Sequence, residues 1–391
     1  MLPRLIALTL AATCCAGMQA PVPSTATQAG APPAATADAG KPARNTREVR
    51  IPREAGVELA GTLTLPAGKG PFPAVAFITG SGAQDRDETI FGKKPFKAWA
   101  EAFADAGVAS LRVDDRGMGA SGGSLATFTT LDIARDAAAT LAFLRMQPGI
   151  DPARCGLLGH SEGSAAAILI ASGAAREPDA PAPAFLVLVA GAGRDGMAVL
   201  EEQTRVIYRT MQADAALKKA AIERHHEMCA AIKAGADEAT LRTRLQALVE
   251  AQLAVIDTKS APEQRASKAT LLTTANLPQM NSPWMRWFVA NDPCTEAVRC
   301  KLPCLSVNGS MDTQVSAEHD QVPLVEALRK GGCVVAVRTP EDMNHLLQPC
   351  NTGAVNEYAT IAVDTDAGEA KAMGEWIAQT AKAINAPATM H

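Results

Sequence analysis

Two pentapeptides place a serine between glycines at the spacing G-x-S-x-G: "GASGG" at residues 119–123 and "GHSEG" at 159–163. Small flanking residues allow a tight turn that lifts a hydroxyl clear of the backbone, as a serine nucleophile requires. Both stretches satisfy the pattern, so their surroundings decide between them. A nucleophile gains most between the end of a strand and the start of a helix, where helix N-terminal N–H groups face a developing oxyanion. Ser161 meets both demands: the apolar run "RCGLLG" leads into it and "SAAAILIASG" continues as a helix. Ser121 lies in a long Gly- and Thr-rich loop, "DDRGMGASGGSLATFTTL". Ser161 is the expected nucleophile and Ser121 a loop residue.

An activated serine needs a base, usually His, and a group that orients it. Of the six histidines, His391 is terminal, His225 and His226 fall in a helical stretch, His160 is inside the pentapeptide, and His319 opens a helix. His345, in "PEDMNHLL", is left in a loop after the last apolar run, at the sheet's C-terminal edge. For the acid, Asp312 in "LSVNGSMDTQV" follows a strand directly. Asp342 lies three residues before His345, too near to turn back comfortably, and Asp320 sits on a helix. Ser161, Asp312 and His345 also occur in the chain order Ser, acid, His that an α/β-hydrolase sheet uses.

The elements that must position these residues alternate. "REVRIP" and "VELAGTLTLP" read as paired strands; then "PAVAFIT", "GVASLRVDD", "RCGLLGH", "AFLVLVAG", "PCLSVNG" and "CVVAVRT" are short apolar or β-branched runs separated by helical stretches. That alternation predicts an α/β fold, a mostly parallel sheet covered by helices on both faces. It breaks between Gly193 and Arg299, where the sequence reads as helices only. The predicted organisation is a sheet core over 46–193 and 301–391, with a helical cap over 194–300 inserted between strands 6 and 7.

The 391 residues, 47% of them hydrophobic, suffice for a large core. A net charge of −4 without basic runs argues against nucleic acid and anionic membrane surfaces. A small, weakly charged molecule is the expected partner. Residues 1–20, with one Arg, a short apolar run and then small residues, read as an export signal rather than a membrane span. Cleavage after Ala16 or Ala20 fits, and Cys14 or Cys15 is an alternative lipid-attachment point. Residues 21–45, rich in Ala, Pro, Thr and Gly, read as a linker with too little apolar bulk to fold. In an exported chain, disulfides can persist. Cys294 and Cys300 either close a small loop or are buried thiols. No metal-binding spacing emerges: His225 and Cys229 stand at i and i+4 without a second pair of ligands. The G-x-G-x-x-G from Gly117 to Gly122 does not open a helix directly after a strand, as a dinucleotide site would.

Together these stretches resemble the α/β-hydrolase superfamily and, within it, bacterial carboxylesterases with a G-S-G-x-Q-D-R-D-E loop. That loop is "GSGAQDRDE" at 80–88, followed in order by "DDRGMGASGG", "GHSEG", "SPWMRWFVANDP", "LSVNGSMDTQV" and "NHLLQ". Thr79 is a departure, since many relatives carry His there. The resemblance covers about residue 46 onward. It implies hydrolysis of a small carboxylic ester by a Ser161–His345–Asp312 triad without a cofactor or metal. It also implies an oxyanion hole from the N–H of Glu162 and that of Ser81, with Gly82 as second choice. A peptidase or acyltransferase of the same fold would share these residues, and a non-catalytic binding protein is the alternative of another class.

Overall fold

The computed structural model describes residues 44–384. The expected signal segment, with Cys14 and Cys15, lies outside them, as does the linker up to residue 43. Eight strands form one sheet: β1 (Asn45–Pro52), β2 (Glu58–Leu65), β3 (Phe72–Ile78), β4 (Ala109–Val113), β5 (Ile150–His160), β6 (Leu186–Val189), β7 (Cys304–Val307) and β8 (Val335–Arg338). Their spatial order is β1-β2-β4-β3-β5-β6-β7-β8. β1 pairs antiparallel with β2 and β2 with β4, and every later pairing is parallel.

Helices α1 (Pro95–Asp105), α2 (Thr130–Arg145) and α3 (Glu162–Ser172) connect β3 through β6. Six helices fill the interval between β6 and β7: α4 (Gly196–Thr210), α5 (Ala215–Lys233), α6 (Glu238–Ile256), α7 (Pro262–Met280), α8 (Pro283–Ala290) and α9 (Pro293–Ala297). α10 (Val322–Gly331) leads to β8, and α11 (Ala367–Ile384) closes the described chain. None of the described helices is long and apolar enough to cross a membrane.

Burial follows the sequence pattern. All four residues of β6, "LVLV", and of β7, "CLSV", are buried, as expected of strands covered on both faces. On one face, Phe96, Trp99 and Phe103 of α1 pack with Met373 and Ile377 of α11. On the other, the apolar residues of α2, α3 and α10 form a second cluster. The helical insertion holds a core of its own, centred on Leu241, Leu245, Leu248, Val249 and Leu253 of α6.

Local signals set the boundaries of the helices near the site. Thr129 and Asp132 form a reciprocal capping box at the start of α2. α3 ends at Gly173, whose φ of 96° suits a residue without Cβ. Because β3 and β5 to β8 are parallel, their C-terminal ends lie at one edge of the sheet. The loops that follow them, which carry Gly80, Ser161, Asp312 and His345, therefore converge there.

Candidate active site

Ser161 occupies the turn between β5 and α3 with φ 53° and ψ −120°, a conformation that non-glycine residues rarely adopt. The fold holds it there: its N–H donates to Val189 O at 2.8 Å, and its carbonyl accepts from Ser164 N at 3.0 Å. The flanking glycines are steric necessities. A Cβ on Gly159 would stand 2.2 Å from Gly163 O, and one on Gly163 would stand 2.3 Å from Ile78 O. Such a turn sets the Ser161 side chain at the head of α3, in a cavity also lined by Gly80, Ser81, Glu162 and His345.

His345 is buried, and its Nδ1 lies 2.8 Å from Asp312 Oδ2. The other oxygen of Asp312 accepts from the N–H groups of Gln314 at 2.8 Å and Val315 at 2.9 Å, which fixes the carboxylate plane. With Nδ1 donating to a carboxylate, Nε2 is left as the basic nitrogen. The loop bearing His345 is pinned by Asn344 Oδ1, which accepts from Leu346 N and Gln348 N. Asp342 is exposed, and its N–H donates to Ser310 Oγ instead.

The loop after β3 runs beneath Ser161. A Cβ on Gly80 would lie 3.3 Å from Ser161 Cβ and 3.0 Å from Glu88 Oε1, so a side chain there would crowd both. Ser81 lines the cavity, while Gly82 is not among the described residues that do. Thr79 Oγ1 donates to both oxygens of Asp115, and Gln84 N donates to Asp115 Oδ2 at 2.8 Å. Burial raises the Asp115 carboxyl to about 8 despite those donors, with Glu88 and Glu162 adding repulsion.

Glu162 supplies the first N–H of α3, and its side chain is buried. Trp284 Nε1 donates to its Oε1 at 2.8 Å, and the Thr130 hydroxyl donates to the same oxygen. Burial pushes this carboxyl up, against the opposing pull of Thr130, Ser81 and Trp284. Trp287 and Phe288, from the same α8 helix as Trp284, form part of the cavity wall.

Other singled-out residues stand apart from this cavity. The Ser121 hydroxyl donates to Asp114 O at 2.7 Å and accepts from Ala60 N at 2.8 Å, so it fastens its loop to β2. Cys294 and Cys300 are both free thiols, directed at the carbonyls of Gly193 and Ile168. His225 and Cys229 face each other within α5 at 3.9 Å. Among the described residues, no group of three or more His, Cys, Asp or Glu is placed to hold a metal ion.

Sequence reasoning missed one buried pair. His160, set aside above for lying inside the pentapeptide, has Nδ1 3.0 Å from Glu88 Oε1 and Nε2 3.0 Å from His345 O. Both residues sit in quoted motifs, but 72 positions separate them. Their partnership is set by the fold and carries no local signal.

The sheet order, the helical insertion and the serine turn define an α/β hydrolase. Residues 55–340 match the family described as X-Pro dipeptidyl-peptidase (S15 family), and the chain belongs to it. It is similar to the esterase EstD of Thermotoga maritima, 35% identical over 106 residues. That match spans 27% of this chain and 25% of EstD, so about a quarter of the relative's length is shared. Among solved structures, DcsB in complex with its substrate analogue aligns over 86% of this chain and 99% of its own, with a TM-score of 0.52 and 15% identity. That level of similarity speaks to the fold alone.

Proposed function

We propose that the protein is a serine hydrolase of small carboxylic esters, of the carboxylesterase type carrying the "GSGAQDRDE" loop. Ser161 Oγ attacks the ester carbonyl while His345 Nε2 takes its proton. Asp312 holds the imidazole tautomer and stabilises the imidazolium that forms. The oxyanion is met by the N–H groups of Glu162 and Ser81. His345 then protonates the leaving alcohol, and water, deprotonated by the same nitrogen, releases the acid. These steps draw on no cofactor. The helices from Gly196 to Ala297 cap the site, and residues 1–20 direct export.

The observation that carries this reading is the 2.8 Å Asp312–His345 contact on the same cavity as Ser161 in its strained turn. The esterase name of the Thermotoga relative supports an ester substrate. The family's own description favours a second reading, cleavage after an Xaa-Pro dipeptide. Initial rates on p-nitrophenyl butyrate and on Ala-Pro-p-nitroanilide separate the two. Turnover of the ester well above that of the anilide is expected, and the reverse order would replace the proposal with the peptidase reading.

A further inference from the structure

We propose that Glu88 and His160 form a buried ion pair that acts as a positioning clamp, holding the oxyanion loop at Gly80 and the backbone of His345 in register around Ser161. The inference rests on the hydrolase reading above and assigns a role to two residues that the triad does not use.

The clamp is a continuous chain of contacts. Gly80 N donates to Glu88 Oε1 at 2.7 Å; the same oxygen lies 3.0 Å from His160 Nδ1; and His160 Nε2 lies 3.0 Å from the main-chain oxygen of His345. One end is thus the backbone that passes against Ser161 Cβ, and the other is the residue that carries the base. His160 itself immediately precedes Ser161. Three of the four strand ends that build the site, those of β3, β5 and β8, meet in this single pair.

The partners fix one proton of the pair, and the proposal places the other. A main-chain carbonyl only accepts, so Nε2 of His160 carries hydrogen. One further proton lies between Nδ1 and Glu88 Oε1, which also accepts from Gly80 N; the clamp as proposed has that proton on Nδ1 rather than on the carboxyl, whose Oε2 is buried without a partner. Both ring nitrogens then donate, and the ring is an imidazolium paired with a carboxylate. Burial pushes the His160 imidazole down, but the Glu88 charge, the Glu88 hydrogen bond and the His345 carbonyl outweigh it and leave it raised. Side-chain exposures of 2% and 1% mean that neither charge has water to replace its partner.

His160 also faces the base directly. The rings of His160 and His345 are 4.6 Å apart, centre to centre, at 54°. The charged and titratable groups around His160 are Glu88 from the loop after β3, Asp312 from the loop after β7 and His345 from the loop after β8, with Asp115 beyond Glu88. On its remaining side lie the uncharged rings of Phe96 and Trp99 from α1. A positive charge at His160 therefore opposes a second one on His345, and Glu88 offsets that opposition.

The test uses His160→Gln and the nearly isosteric Glu88→Gln in the full-length enzyme, with pH profiles of ester hydrolysis and circular dichroism for folding. Misplacing reacting groups by about 1 Å costs roughly 10²-fold, so kcat should fall by about that factor in both variants with KM within threefold. The acid limb of kcat/KM should move to higher pH in His160→Gln, where the anion stands alone beside His345, and should not do so in Glu88→Gln. Packing alone would not move it in that pattern. If folded variants keep kcat within threefold, or if His160→Gln loses kcat with its acid limb unmoved, the clamp is overturned. Should His160→Gln fail to fold, the kcat of Glu88→Gln decides. A wild-type enzyme that neither hydrolyses esters nor is labelled at Ser161 would sink the hydrolase reading instead.

Discussion

The indole Nε1–H of Trp284 donates to Glu162 Oε1 over 2.8 Å, tying a helix of the insertion to the residue that follows Ser161. Trp284→Phe keeps the ring stacked on Phe288, now 5.1 Å away, and removes only the donor. Glu162 is then left buried with one partner fewer. Unfolding in denaturant should reveal a loss of about 1–3 kcal/mol, the range for a hydrogen bond to a charged group or a stranded buried acceptor. An unchanged midpoint would mean that the contact does not hold the helix in solution.

The two glycine-flanked serines should separate cleanly. Ser161→Ala should abolish hydrolysis of p-nitrophenyl butyrate, and a fluorophosphonate should label the wild-type peptide that contains Ser161. Ser121→Ala should keep most of the activity while losing about 1–2 kcal/mol of stability, because its hydroxyl joins Ala60 N and Asp114 O. An inactive but folded Ser121→Ala would reverse the choice of nucleophile.

Asp312→Asn should preserve the fold and lower kcat by up to about four orders of magnitude, through loss of the His345 tautomer. Asp342→Asn should stay within a few fold of wild type, since that side chain is exposed and away from the imidazole. Side-by-side kinetics with circular dichroism decide the assignment. It fails if Asp342→Asn is the impaired variant.

Acid should weaken the insertion through His225. Burial lowers this imidazole to about 4, helped by the charges of His226 and Arg205, so the folded state binds fewer protons than the unfolded chain between that value and about 6.5. Its contribution is present above pH 6.5 and is lost as pH falls through 4. Thermal melts of wild type and His225→Gln between pH 7 and 4.5 should converge as the pH drops. A constant gap across that range would remove His225 as the cause.

Much of the core was legible because burial on two faces leaves a plain mark: "LVLV" and "CLSV" hold no charge, and the structure encloses both. The turn at Ser161 was legible because strand, serine and helix are adjacent in the chain. α1 carries a weaker signal, since Lys94 before it makes no side-chain cap hydrogen bond. The helix expected to open at His319 is a π turn over Ala317–Gln321 followed by α10, with Pro323 at the start of the latter. Partners distant in sequence left no trace. Glu162 and Trp284 are 122 residues apart, and only the placement of the insertion over the sheet edge brings them together.

The separate core of the insertion has a consequence for amide exchange. Leu241, Leu245 and Leu253 pack among neighbouring helices rather than on the sheet, so opening the insertion need not disturb β5, β6 or β7. Protection in deuterated buffer should therefore fall into two tiers. The amides of α5 and α6 should exchange together through a partial opening, and those of the central strands should wait for global unfolding.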